Sequence, residues 1–196
     1  MWNVGITYKI KQEEKLDHKT YIFCPNHTSY LDVIASYVAI PTYFHYMAKL
    51  ELANAPLFGI FFRKMDIAFD RKSIKAAHKA FQRASSDIDQ GISIAMFPEG
   101  TISINAPQML KFKNGPFKLA IEKQIPIVPV TFKNNWKILP DSDNSNEGWP
   151  GKAHIVLHKP IPTKGLTEEN LEELKARVYQ VIANELGIKE NTSVIA

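Results

Sequence analysis

The sequence contains a single cysteine, Cys24, so an intramolecular disulfide is impossible. Small secreted domains that depend on disulfides are therefore excluded as a class. Cys24 follows the apolar residues Tyr21, Ile22 and Phe23, and we expect a buried thiol with no chemical role. An unpaired cysteine of this kind fits a reducing compartment.

Long hydrophobic segments are also missing. The longest stretches without Asp, Glu, Lys or Arg cover residues 33–48 and 52–62. Both are shorter than the roughly 20 apolar residues of a membrane-spanning helix. Residues 1–10 lack the apolar core of a signal peptide. We therefore expect neither a signal peptide nor a transmembrane segment in this chain.

Common signatures of nucleotide and nucleophile chemistry are absent as well. The sequence has no G-x-G-x-x-G, no P-loop and no G-x-S-x-G nucleophile elbow. The net charge is +4, but the lysines are dispersed and the three tryptophans are scattered, so we expect no nucleic-acid partner. His154 and His158 share one face of a predicted strand without a third ligand, so we expect no metal site.

The apolar segments predict an α/β fold in one domain that covers residues 1–196. Hydrophobic residues make up 45% of the 196-residue chain, which is enough for a substantial core. Alternation of β-prone runs with helical periodicity indicates a mixed, largely parallel β-sheet flanked by helices. We predict strands over 20–25, 42–48, 66–69, 92–97, 125–132 and 153–158, and helices over 29–40, 73–88, 115–123 and 167–186. Residues 134–151, rich in Asn, Asp, Ser, Pro and Gly, predict an exposed loop.

The clearest candidate for chemistry is the segment 26–32, which reads Asn-His-Thr-Ser-Tyr-Leu-Asp. It places His27 just after a predicted strand and Asp32 in the first turn of a helix. The imidazole can take the proton of an attacking hydroxyl, and the carboxylate can hold the other ring nitrogen. Because no nucleophile elbow is present, that proton would come from the substrate. Ser29-x-x-Asp32 is equally a capping-box pattern, so the residues alone leave both interpretations of Asp32 open.

A second candidate segment is 97–101, Phe-Pro-Glu-Gly-Thr, at the end of a predicted buried strand. Glu99 could accept hydrogen bonds from a polyol, and the amides of Gly100 and Thr101 could approach an anion. The alternative interpretation is an ordinary turn, which is the commoner finding for such a segment.

Two cations lie in further candidate segments. Lys113, two residues before Gly115 at a predicted helix N-terminus, could hold a phosphate, although a solvated lysine is more common. Arg71, at the end of segment 66–71, could bind a phosphate through two guanidinium nitrogens or pair with its neighbour Asp70.

The order of these segments is more informative than any one of them. The H-x4-D segment, then 66–71 (Asp-Ile-Ala-Phe-Asp-Arg), 97–101 and 127–130 (Ile-Val-Pro-Val) resemble the four blocks of the glycerol-3-phosphate and lysophosphatidic acid acyltransferase family. Residues 112–115, Phe-Lys-Asn-Gly, are similar to a Phe-Lys-x-Gly segment of that family. The motif-bearing core would cover about 20–135, and a C-terminal strand and helix about 152–187.

The resemblance implies a role for each motif. His27 would be the general base that deprotonates the acceptor hydroxyl, and Asp32 would orient it. The hydroxyl would attack the thioester of acyl-CoA or acyl carrier protein directly, with no acyl-enzyme, no metal and no bound cofactor. The glycerol phosphate of the acceptor would be held by Arg71, Glu99, Gly100, Thr101, Lys113 and Gly115. The acyl pocket would be shaped by Val128, Pro129 and Val130.

Two positions depart from the family pattern. The third block usually continues with arginine, but Ile102 stands there. Loss of that cation would weaken phosphate recognition by ~1.5–3 kcal/mol if it made a charged hydrogen bond. The second block usually opens with glycine, whereas this chain has Met65 and Asp66. Either the acceptor is not a simple glycerol phosphate, or other cations compensate, namely Lys111, Lys113 or Arg71.

We therefore expect an acyltransferase that acts on a lysophospholipid, most simply converting 1-acylglycerol-3-phosphate to phosphatidate. The alternatives are transfer to a different lysolipid, such as a lyso-aminolipid, and a non-catalytic lipid-binding module. The resemblance also implies a peripheral location on the cytoplasmic face of a membrane. Residues 52–62, followed by Arg63 and Lys64, are the candidate membrane contact, with a buried core segment as the alternative.

Overall fold

The computed structural model describes residues 5–17, 19–49, 67–69, 73–140 and 148–188. Within these ranges the chain alternates between strands and helices, and a 3-10 turn at Glu168–Asn170 leads into the last helix. The elements are β1 (Ile6–Gln12), β2 (Ile22–Pro25), α1 (Leu31–Ala39), β3 (Phe44–Lys49), β4 (Ile67–Phe69), α2 (Ile74–Asp89), β5 (Ser93–Ala95), α3 (Gly115–Lys123), β6 (Ile127–Phe132), α4 (Asn135–Ile138), β7 (Gly151–Leu157) and α5 (Leu171–Leu186).

The strands form one seven-stranded sheet in the order β1-β7-β6-β2-β5-β3-β4. Neighbouring strands are parallel except β6 and β7, which are antiparallel. The predicted α/β architecture with a mixed, largely parallel sheet is therefore confirmed. In the middle of the sheet, Ile22 of β2 lies opposite Ile94 of β5 and Ile127 of β6. The loops that leave the carboxyl ends of β2, β5 and β6 consequently meet at one edge of the sheet.

The sheet separates two apolar cores because successive side chains of a strand point to opposite faces. On one face Ile22 and Cys24 pack with residues of α2, α3 and α5. On the other face Phe23 packs with residues of α1 and β3. Cys24 is completely buried, and burial raises the pKa of its thiol, which agrees with the expectation of an unreactive cysteine.

Three helix ends carry recognisable sequence signals, whereas α1 begins two residues and α5 four residues later than predicted. Helix α2 begins after Ser73, whose hydroxyl oxygen accepts a hydrogen bond from the amide of Ala76 at 3.2 Å. Helix α3 has Pro116 in its first turn, where the missing N–H costs nothing. Helix α5 ends at Gly187, whose φ of +68° is the left-handed conformation of a C-cap.

Two parts of the sequence prediction need correction. No strand was expected before residue 20, yet β1 pairs in parallel with β7 along its whole length. The predicted exposed loop over 134–151 is wrong at its start, where Asn135 and Ile138 are buried in the short helix α4. Ile138 packs with Leu31 of α1 and Ala153 of β7, a tertiary contact that local composition does not reveal.

Several predictions fall on residues that the structure does not describe. They concern Arg71, the candidate membrane contact at 52–62 and residues 141–147 of the predicted loop. Among the described residues, no helix is both long enough and apolar enough to cross a bilayer.

Candidate active site

His27 lies in the loop between β2 and α1, and Asp32 is the second residue of α1. The Nδ1 atom of His27 is 3.1 Å from Oδ2 of Asp32. The same oxygen accepts hydrogen bonds from the backbone amides of Thr28 at 2.6 Å and Ser29 at 2.8 Å. Asp32 therefore makes both contacts that the sequence allowed, one with the imidazole and one with the chain at the start of the helix.

The other oxygen of Asp32 is held by a residue that the sequence prediction missed. Nδ2 of Asn135, in α4, donates to Oδ1 of Asp32 at 2.8 Å, and both residues are fully buried. The carboxylate thus faces four N–H groups, which is the kind of donor set that a buried carboxylate requires. Because Asp32 accepts from Nδ1, that nitrogen carries the imidazole proton and Nε2 is left as the proton acceptor.

The imidazole of His27 is also packed in place. The ring of Phe97 stacks on it with 3.7 Å between centroids and an interplanar angle of 11°. The His27 side chain keeps 12% of its surface exposed. One face of the imidazole is therefore covered by the segment that follows β5.

Glu99 fixes the backbone around the same histidine. Its Oε1 accepts from the amide of His27 at 2.7 Å, and its Oε2 accepts from the amide of Leu110 at 2.7 Å. The carbonyl of His27 accepts from the amide of Ser103 at 2.8 Å, so both backbone groups of the histidine bond to the segment after β5. Glu99 is 1% exposed. Its predicted contact with the acceptor stays a prediction, whereas its contact with the histidine loop is direct.

The pKa of Glu99 reflects its burial. The pKa of Glu99 is raised to about 8, chiefly because burial disfavours the charged carboxylate. The two backbone hydrogen bonds lower this pKa, and the nearby charge of Asp32 raises it.

Gly100 and Lys113 come together as the two motifs predicted. The amide of Lys113 donates to the carbonyl of Pro98 at 2.8 Å. The Lys113 side chain passes so close to Gly100 that a Cβ on the glycine would lie 3.0 Å from Cε of the lysine. Gly100 also has a φ of +75°, which an L-residue rarely adopts. The glycine is therefore required both by the turn and by the path of the lysine.

The remaining predicted binding residues of this region lie around the same turn. The amide of Gly100 donates to the carbonyl of Phe97 at 3.1 Å and closes the turn. Thr101 is exposed, and Gly115 is the first residue of α3. Ile102, where the family pattern has arginine, is half-buried.

A cavity of about 260 Å³ opens beside this turn. Phe97, whose ring also stacks on His27, lines this cavity together with Gly100 and Lys113. The rest of the lining is almost entirely apolar and consists of Met47, Ala77, Phe81, Met96, Pro98, Gly115 and Pro116. A site that joins a lysine to an apolar cavity suits a ligand with a charged end and a hydrocarbon end.

The predicted acyl-pocket residues lie elsewhere in the described part of the chain. Val128, Pro129 and Val130 are buried within β6, and the two valines pack in the core on the α1 side of the sheet. None of the three lines the cavity of 260 Å³. Their predicted role in shaping an acyl pocket stays a prediction.

A second histidine–aspartate pair shows that such a contact alone does not define the site. Nδ1 of His45 is 2.8 Å from Oδ2 of Asp87, and its Nε2 is 3.0 Å from the hydroxyl of Tyr43. His45 lies near the amino end of β3, opposite Ile94 of β5, and so at the far edge of the sheet from His27. In the described ranges, no group of three or more His, Cys, Asp or Glu side chains could hold a metal ion.

Comparison with known proteins identifies the family of the chain. Residues 7–133 match the family model described as Acyltransferase. An uncharacterized acyltransferase of Schizosaccharomyces pombe is 33% identical over 91% of this chain and 65% of its own length. A 1-acyl-sn-glycerol-3-phosphate acyltransferase of Saccharomyces cerevisiae is 30% identical over 93% of this chain and 61% of its own. The chain belongs to the acyltransferase family, and it spans less than two thirds of the length of these two curated relatives.

A solved structure has the same fold. The crystal structure of the 1-acyl-sn-glycerophosphate (LPA) acyltransferase of Thermotoga maritima superimposes with a TM-score of 0.74 over 91% of this chain and 70% of that chain. The two sequences are 23% identical, so this likeness concerns the fold alone.

Proposed function

We propose that this chain is an acyltransferase that moves a fatty acyl group from a thioester to the free hydroxyl of a lysophospholipid. The thioester would be carried by coenzyme A or by acyl carrier protein. The observation that carries the proposal is the His27–Asp32 contact at 3.1 Å. It places an imidazole base near the Gly100 turn, against which the side chain of Lys113 lies. In the simplest case the acceptor is 1-acylglycerol-3-phosphate, the compound in the name of the S. cerevisiae relative, and the product is phosphatidate.

The proposed reaction uses His27 as base and then as acid. Asp32 holds the proton on Nδ1, so Nε2 takes the proton of the acceptor hydroxyl while the hydroxyl oxygen attacks the thioester carbonyl. The tetrahedral intermediate collapses, the carbon–sulfur bond breaks, and the imidazolium returns the proton to the thiolate. Each turnover forms one oxygen ester and releases one thiol.

Direct transfer without an acyl-enzyme fits the contacts of the two buried serines near His27, Ser29 and Ser103. The hydroxyl of Ser29 donates to the carbonyl of Leu139 at 2.5 Å, and that of Ser103 donates to the carbonyl of Gln108 at 2.6 Å. Both serines are thus held by backbone acceptors rather than by the imidazole. Cys24 is buried in the core and its thiol pKa is raised, which disfavours a thiolate nucleophile.

The headgroup would bind at the turn and the hydrocarbon in the cavity. Lys113 is the cation that the described site offers to a phosphate, at the N-terminal end of α3, where a helix dipole also favours an anion. The apolar part of the 260 Å³ cavity suits an acyl chain. We also propose that the protein works peripherally on the cytoplasmic face of a membrane, where both substrates are accessible.

The test is release of free thiol from palmitoyl-CoA with and without lysophosphatidic acid. We expect release that requires the acceptor and falls roughly 10²–10⁴-fold in His27→Asn, the usual contribution of a general base. His45→Asn is the matched control, because it breaks the other buried histidine–aspartate contact at the opposite edge of the sheet. Acceptor-independent release would indicate a thioesterase, and equal rates in His27→Asn and wild type would refute the role of the base.

Ile102 favours a second candidate acceptor, a lysolipid whose headgroup is not a simple phosphate, such as a lyso-aminolipid. Substitution Ile102→Arg restores the cation of the family pattern. If the natural acceptor is a different lysolipid, this variant should gain preference for lysophosphatidic acid over it, in a direct competition of the two acceptors. An unchanged preference would remove the argument from Ile102.

A further inference from the structure

Helix α1 is apolar on its exposed face as well as in the core. Its buried residues are Leu31, Ala35 and Ala39 together with Asp32 and Ser36. Its outer face carries bulky apolar side chains, with Ile34 40% and Val38 49% exposed. A surface helix normally turns its apolar stripe to the core and its polar residues to water. The exposed apolar face of α1 is therefore a candidate contact surface.

The exposed apolar surface continues around the catalytic loop. Tyr30, directly before α1, is 53% exposed. Ile104 is 82% exposed and follows Ser103, whose amide donates to the carbonyl of His27. Trp149 is 57% exposed, and its amide donates to the carbonyl of Ile138 in α4, the helix that packs against α1. We call this region the α1 surface, and it comprises Tyr30, Ile34, Tyr37, Val38, Ile104 and Trp149.

We propose that the α1 surface is the membrane-docking face of this protein and that its partner is a phospholipid bilayer. A helix that lies in the plane of a membrane interface buries its apolar side chains at the boundary between headgroups and acyl chains. Tyrosine and tryptophan, which combine an apolar ring with a polar tip, are the residues that favour that boundary. The α1 surface has three of these rings, from Tyr30, Tyr37 and Trp149.

The charge distribution fits the same partner. The sequence has no Asp, Glu, Lys or Arg from residue 33 to residue 44, so the outer face of α1 carries no charge. Helix α4 packs against α1 and carries the exposed Lys137, a cation at the border of the apolar region. An uncharged apolar centre with a lysine at its border matches a bilayer, whose acyl region is apolar and whose headgroups include anions.

The position of the surface explains why docking there would matter, a step that rests on the proposed function. A lysophospholipid acceptor resides in a membrane because of its acyl chain. Helix α1 begins four residues after His27, and Asp32 in its first turn contacts the imidazole. Docking through the outer face of α1 therefore holds the base about one helix diameter (~10 Å) from the membrane boundary, on the side where the free hydroxyl of the acceptor emerges.

The experiment is flotation of the purified chain with vesicles of phosphatidylcholine and phosphatidylglycerol, in the absence of substrate. The test variant is Ile34→Glu/Val38→Glu, at two exposed positions outside the catalytic machinery. The matched control is Gln82→Glu/Asn184→Glu, which adds acidic side chains at exposed positions of α2 and α5, on the other face of the sheet. We expect the vesicle-bound fraction of the test variant to fall roughly tenfold or more, because two apolar side chains no longer enter the interface. The control should float like wild type.

A second measurement separates docking from chemistry. Transfer to a short-chain lysolipid that dissolves as monomers should be equal in the test variant and wild type, whereas transfer to vesicle-embedded acceptor should be lost. If no transfer occurs at all but flotation behaves as expected, the docking face stands and the proposed function falls. If wild type does not float, or if the test variant floats like wild type, the docking face is refuted. A wild-type dimer that becomes monomeric in the test variant, with flotation unchanged, would make the α1 surface a subunit interface instead.

Discussion

Substitution Glu99→Ala would remove the acceptor of two buried backbone amides, those of His27 and Leu110. Leaving a buried donor unpaired costs ~1–3 kcal/mol. Two such amides therefore predict a loss of ~2–6 kcal/mol in the free energy of unfolding, before any cavity is counted. Because one of the amides belongs to the proposed base, we also expect the histidine loop to lose its alignment and kcat to fall.

Glu99→Gln is the matched variant, since it keeps the volume of the side chain and one of the two acceptors. Its NH2 group cannot accept from the second amide, so we expect a loss of ~1–3 kcal/mol in the free energy of unfolding and a smaller fall in kcat than in Glu99→Ala. Urea unfolding followed by circular dichroism gives the stability, and thiol release at varied acceptor concentration separates kcat from KM. If Glu99 instead binds the acceptor, as the sequence pattern suggested, Glu99→Gln should raise the KM for the acceptor while stability and kcat hardly change. That result would refute the positioning role.

The titration of Glu99 adds a check that does not depend on activity. Its pKa is about 8 in the folded protein and 4.5 in the reference state, so between these values the folded protein holds a proton that the unfolded chain has lost. Stability should therefore fall as pH rises from about 4.5 to about 8. Glu99→Gln does not titrate at this position and should lack that part of the decline. Parallel stability curves for the two proteins across this range would contradict the assignment.

Three further perturbations test other contacts. Asn135→Ala removes the donor to Oδ1 of Asp32, and since a hydrogen bond to a charged group contributes ~1.5–3 kcal/mol, we expect kcat to fall about tenfold to a hundredfold. Gly100→Ala forces an L-residue into φ +75°, so the free energy of unfolding should fall by ~1–2 kcal/mol. The new Cβ would lie 3.0 Å from the Lys113 side chain and displace it, so the KM for a phosphate-bearing acceptor should rise. Burial lowers the pKa of His158 in the folded protein. As pH falls through 6.5, the imidazole of His158 is therefore protonated in the unfolded chain before it is protonated in the folded protein. Stability measured in urea should then drop with acidification in wild type, and less steeply in His158→Phe.

The sequence predicted the contact between His27 and Asp32 because its determinants are local. His27 and Asp32 are five residues apart across a strand end and a helix start, so their contact at 3.1 Å follows from the spacing once both elements are placed. The junction of Gly100 with Lys113 was also predicted, although only the family pattern related the two segments. Most strands and helices were predicted for the same reason, since periodicity and caps act over a few residues.

The supports of the pair could not be predicted in this way. Asn135 is 103 residues from Asp32 along the chain and lies in a segment whose composition is that of a loop. Glu99 is 72 residues from His27 along the chain. Its partners are backbone amides, which every residue except proline has, so no residue type in the sequence identifies them. Which residues hold a catalytic group in place depends on the tertiary arrangement, and a single sequence carries little of that information.

The unusual polarity of α1 follows from the chemistry of the site. Asp32 and Ser36 are four residues apart and lie on one face of the helix, and the Ser36 hydroxyl donates to the carbonyl of Asp32 at 2.7 Å. Because successive residues of a helix are about 100° apart, a helix that turns Asp32 to the imidazole must turn Ile34 and Val38 outward. Rotating α1 to bury these two side chains would withdraw the carboxylate from His27. The orientation that brings Asp32 to His27 is therefore the orientation that exposes an apolar helix face, and a bilayer that covers this face would favour the same rotation.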